Sequence, residues 1–111
     1  MPYVFIHSMF PGNKTEEIAK AYLEEEQKFR KAARGLTKEI IPNAVLSTPE
    51  GYDVIGVHDV KEGNLEKFLI VQYQAMIAYQ NIEGFTYKID VRLKITEAMA
   101  LLGLKAPEPL E

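Results

Sequence analysis

Two histidines, His7 and His58, are the only imidazoles in the sequence, and cysteine is absent. Thiol nucleophiles, disulfides and thiolate metal sites are therefore excluded, and two histidines are too few for a His-rich metal site within one chain. A neutral imidazole in an enclosed space can act as a general base or a metal ligand. The plainer alternative is a histidine near a strand end, hydrogen-bonded and inert. Glu25 lies seven residues after Ile18, between Tyr22 and Phe29, inside the apolar stripe of a helical pattern. A carboxylate desolvated there can give or take a proton; a small rotation of the stripe would instead let it reach water. Gln72 holds the corresponding place on a second helical pattern, between Leu69 and Met76. The two side chains can bond to each other or line a space between helices and sheet.

Aromatic residues supply candidate walls for a small organic ligand: Tyr3 and Phe5 near the start, and Tyr52 in the middle of the chain. Buried tyrosine is also ordinary core material. Lys88, Asp90 and Arg92 form an alternating polar row. Arg92 can grip an anionic group, although such a row more commonly keeps a sheet edge solvated. The run Glu24 to Glu26 reads mainly as a solvated helix face. Walker-type phosphate loops, dinucleotide fingerprints, zinc spacings and Gly-x-Ser-x-Gly elbows are missing, and no cofactor is expected.

These residues must be positioned by few elements, since 111 residues make one domain. Residues 1–104 are expected to form it, with 105–111 as a frayed tail. A net charge of −3 argues against broad attraction to nucleic acid or to an anionic membrane. No apolar run is long enough to span a membrane and no secretory leader is evident, so a cytoplasmic location is expected.

Residues 3 to 10 read as a strand, apolar on both sides and stopped by Pro11-Gly12-Asn13. A helix is expected over 14–34, with Gly35 beyond it. Runs around 40–48 and 52–60 flank the turn signal Pro49-Glu50-Gly51 and predict a hairpin. A second helix over 65–82 is apolar nearly all round, which requires cover on more than one side. Alternation from Phe85 to Thr96 predicts a last strand, and Glu97 to Leu102 a short helix.

The order β-α-β-β-α-β folds, with right-handed crossovers, into a four-stranded antiparallel sheet with two helices on one face. This α+β ferredoxin-like plait leaves the other sheet face bare, and Tyr3, Phe5, Val45 and Val54 are expected to make it apolar. A homodimer pairing sheet to sheet is the simplest cover. The first and third strands should be antiparallel neighbours. If both their histidine-bearing sides face the partner, His7 and His58 line an inter-sheet chamber.

The chain resembles the dimeric α/β-barrel superfamily, through that element order and through Gly51-Tyr52-Asp53-Val54-Ile55 opening the third strand. The resemblance implies a homo-oligomer that binds a small organic molecule. An alternative is a monooxygenase-, isomerase- or decarboxylase-like enzyme of that superfamily moving protons through His7, His58 or Glu25. A further alternative comes from Met1-Pro2 through Ile6, which is similar to the opening of tautomerases that use an N-terminal proline as a base.

Overall fold

The computed structural model describes residues 1–110. β1 spans Tyr3–Phe10, where β-branched and aromatic side chains favour extended backbone. Pro11 ends the strand, and one turn of 3-10 helix, Gly12–Lys14, leads into α1, Thr15–Ala33. Thr15 Oγ1 donates to the Gly12 carbonyl at 2.7 Å and fixes that entry. Glu16 and Glu17 occupy the first turn, where the helix dipole favours negative charge. β2, Thr37–Thr48, and β3, Gly51–Val60, form the expected hairpin. Gly51 has φ +135, and a Cβ there would lie 2.1 Å from the Phe10 carbonyl oxygen, so only glycine fits this corner. α2 is Leu65–Ile77, β4 is Thr86–Arg92 and α3 is Ile95–Ala100.

The sheet order is β2-β3-β1-β4 with every neighbour antiparallel, which is the ferredoxin-like plait. Four elements differ by two residues or more from the sequence pattern: β2, α2, β4, and α3, which begins at Ile95 rather than Glu97. β2 starts earlier and carries Pro42 through register shifts on either side of Ile41, tolerable because β2 is an edge strand. α2 stops at Ile77 and gives way to turns, with Ile82 N–H donating to the Tyr79 carbonyl at 3.0 Å. β4 stops at Arg92 although the alternation runs on. Lys94 N–H instead donates to the Glu97 carboxylate at 3.0 Å and starts α3.

The core is one layer between the helices and the inner sheet face. Val4, Val60 and Phe68 are fully enclosed, with Ile6, Ala33 and Met76 around them. The register fixes the faces. Val4, Ile6, Ser8 and Phe10 lie across from His58, Gly56, Val54 and Tyr52, toward the helices. Tyr3, Phe5, His7 and Met9 lie across from Asp59, Val57, Ile55 and Asp53, on the outer face. The two histidines therefore sit on opposite faces, because residues directly paired across antiparallel strands point the same way and Val4 pairs with His58. Val54, with Val45 beside it, likewise belongs to the helix side rather than the open face.

The outer face stays bare in the single chain, with Met9 and Leu46 well exposed. α3 reaches only one end of it, where Lys94 Nζ contacts Asp59 at 2.7 Å and lies 5.1 Å from the centre of the Tyr3 ring. The outward side of α2 is also uncovered at Ile70, Tyr73 and Ile77. The radius of gyration is 15.7 Å, against about 13 Å for a compact chain of this length. The accessible surface is 7873 Å², whereas a compact monomer of this mass exposes about 6,200 Å².

Candidate functional site

α1 does not lie flush on the sheet. A cavity of about 610 Å³ opens between α1, α2 and the inner halves of β1, β2 and β3. That volume is in the usual range for small-molecule sites. Its floor is the sheet (Ile6, Ser8, Val54, Gly56) and its walls carry Phe29, Tyr52, Tyr79 and Phe85. At the rim, Asn43 Nδ2 on β2 donates to the Tyr22 hydroxyl on α1 at 3.3 Å, bridging two elements that the cavity separates. Gly56 beneath leaves room for that bridge, since a Cβ there would come within 2.9 Å of Asn43 Oδ1.

Polar groups enter from three elements. His58 projects from β3 toward the cavity and is only 6% exposed, packed between the Phe29 and Phe68 rings. Burial pushes its pKa down, only partly opposed by Glu39, its cross-strand neighbour on β2. The imidazole is therefore neutral at pH 7, and its Nδ1 has no hydrogen-bond partner. Gln72 enters from α2, also 6% exposed. Its Nε2 donates to Met76 Sδ at 3.5 Å, and its Oε1 is buried without a partner. α1 supplies two adjacent carboxylates, Glu25 and Glu26. Arg30 is shared by Glu26, at 2.9 Å, and Glu39, at 3.4 Å. Burial still holds the Glu26 carboxyl above the usual range. Burial, with Glu26, Tyr22 and Glu25 nearby, raises the Tyr79 phenol well above its ordinary value.

Of the residues singled out in the sequence, Glu25, His58, Tyr52 and Gln72 meet in this cavity. The other four do not. Tyr3, Phe5 and Arg92 lie on the outer face, with the Arg92 guanidinium 5.1 Å from the centre of the Phe5 ring. His7 is there as well, and its Nε2 meets Asp53 Oδ1 at 2.5 Å. Pro2 hydrogen-bonds through its carbonyl to Val60 N–H and lies outside the cavity lining. The sequence pattern did not single out Glu26 or Glu39. Glu26 follows Tyr22 by four residues and precedes Phe29 by three, so helical spacing alone could have placed it inward. Glu39 becomes visible only once the β2–β3 register pairs it with His58.

Among the described residues, no group of three His, Asp or Glu side chains is arranged to hold a metal ion. No helix among them is long and apolar enough to cross a membrane.

The sequence matches no protein-family model and no curated protein. Two solved structures are similar in shape. A dimeric ferredoxin-like protein from an uncultured marine organism is 16% identical, with a TM-score of 0.56 over 86% of this chain and 97% of its own. The de novo designed protein Foldit4 is 11% identical, with a TM-score of 0.52 over 84% of this chain and 97% of its own. What the three share is the ferredoxin-like fold. Identity this low carries nothing about chemistry.

Proposed function

We propose that this protein is a homodimeric small-molecule-binding domain of the dimeric α/β-barrel kind, with the ligand held inside each subunit rather than between the two sheets. The observation that carries the reading is the pair of unpartnered buried polar atoms, His58 Nδ1 and Gln72 Oε1, on two residues that line one cavity. Buried polar groups are almost always paired. Two such exceptions, both on residues that line one cavity, fit a site whose side chains turn to meet a ligand's own polar groups. Dimerisation draws support from the bare outer face, from surface in excess of a compact monomer, and from the dimeric state named for the similar marine protein. The excess is about 1,700 Å², ample for a standard interface at about 800 Å² per partner.

A fragment screen by NMR on the intact chain tests the pocket. Hits should shift the signals of His58, Gln72 and Tyr52, and Ala75→Phe, which fills the cavity from α2, should abolish them. Hits confined to the outer face, or unaffected by that substitution, would overturn the reading.

A second reading, proton-transfer catalysis of the monooxygenase, isomerase or decarboxylase type, has one observation in its favour. His58 is neutral with a free ring nitrogen, the state a general base needs. Conversion of a bound fragment, lost in His58→Gln, would establish it.

A further inference from the structure

The cavity is charged asymmetrically. Three carboxylates, Glu25, Glu26 and Glu39, line it, and among the described residues no lysine or arginine does. Their cationic partners stand outside: Arg30 is divided between Glu26 and Glu39, and Lys28, 3.5 Å from Glu25, is 78% exposed and largely hydrated. Two cations, one of them in water, leave the wall net negative. One of the two orphan atoms, Gln72 Oε1, agrees with this sign. Gln72 Oε1 can only accept a hydrogen bond, whereas Nδ1 of a neutral His58 accepts or donates according to its tautomer. Aromatic faces at Phe29, Tyr52 and Tyr79 complete the lining, and their negative quadrupoles attract cations. An anion entering this space would meet repulsion with no donor cation to offset it.

Building on the pocket reading, we propose that the cavity recognises an organic ammonium: a primary amine carried on a small aromatic or alkyl body. The ammonium offers three donors to a site supplied with acceptors, and the hydrocarbon occupies the apolar floor. Charge-assisted hydrogen bonds are roughly twice as strong as neutral ones, so the charged head decides between ligands of equal shape.

Three probes of matched size separate the possibilities: 2-phenylethylamine, 2-phenylethanol and 3-phenylpropanoate, titrated into the full chain at pH 7 with calorimetric and NMR readout. The amine should bind at least about tenfold more tightly than the alcohol, and the carboxylate should show no binding. Raising the salt should weaken the amine and leave the alcohol unchanged. In the double variant Glu25→Gln, Glu26→Gln, checked for folding by circular dichroism, the amine should lose its advantage while the alcohol keeps its affinity. Equal or tighter binding of the alcohol or carboxylate overturns the ammonium assignment and leaves the pocket reading intact. Failure of all three to bind up to millimolar concentration overturns both. If the double variant does not fold, salt dependence in the unmodified protein decides: an amine affinity indifferent to salt overturns the assignment.

Discussion

Gln72 is the residue at which stability and binding should separate. Its Oε1 lies in the folded interior with neither a partner nor access to water. A buried acceptor left unpaired costs about 1–3 kcal/mol. Leucine is close to glutamine in size and carries no polar atom, so Gln72→Leu relieves that cost and adds apolar contact with Met76 and the sheet. What it gives up is the 3.5 Å bond from Nε2 to Met76 Sδ. Thioether sulfur is a weak acceptor, so that loss is about 0.5 kcal/mol. The net gain is then about 1–2 kcal/mol, or about 4–10 °C in Tm for a domain near this size. Urea unfolding of the ligand-free protein should show a raised midpoint at unchanged slope. Gln74→Leu, two residues on and exposed, is the control and should stay within about 0.5 kcal/mol of the parent. The same Gln72→Leu protein should bind 2-phenylethylamine more weakly. A Gln72→Leu chain that folds but is no more stable than the parent would refute the reasoning, because Oε1 would not then be an uncompensated group.

The open sheet face should pair two copies: light scattering at micromolar concentration should give a dimer, and Met9→Glu with Leu46→Glu, both on exposed outer-face positions, should give a folded monomer. A monomeric parent protein would refute the sheet-to-sheet assembly. His58 should make the protein acid-sensitive. Its folded pKa is depressed by burial, so as the pH falls through about 6.5 the unfolded chain takes up a proton first and stability drops. Glu26 works in the opposite sense: its raised pKa means that protonation in the folded state adds stability as the pH falls toward that value. Urea midpoints between pH 4.5 and 8 should therefore lose their decline below pH 6.5 in His58→Gln, and Glu26→Gln should steepen it.

The plait was legible because its signals are local. β1 was delimited by Pro11, α1 by Gly35, and the hairpin by Pro49-Glu50-Gly51, each a residue whose backbone limits act within a few positions. β4 was overrun because alternation has no built-in stop, and the amide-to-carboxylate bond from Lys94 to Glu97 is invisible to a period-2 pattern. The partition of the histidines between faces stayed open for a related reason. Parity within β1 and within β3 is readable from sequence, but which set of one faces which set of the other depends on register. Only the pairing of Val4 with His58 decides it.

The cavity was half legible, and the half that was found is instructive. Glu25 and Gln72 stood out as polar residues inside apolar stripes, and both line the cavity. In a monomer with α1 laid flat on the sheet, each would be a destabilising defect, and hydrophobic residues would serve better. The fold keeps the helix raised at that end, from Ile18 to Phe29, while Ala33 packs tightly at the other. That wedge-shaped gap forgoes apolar burial worth about 25 cal/mol for each Å² left uncovered. A sequence that only had to fold could close it. The polar residues that break the helix stripes and the space that accepts them are therefore one feature. It is the feature that the proposed pocket reading calls for.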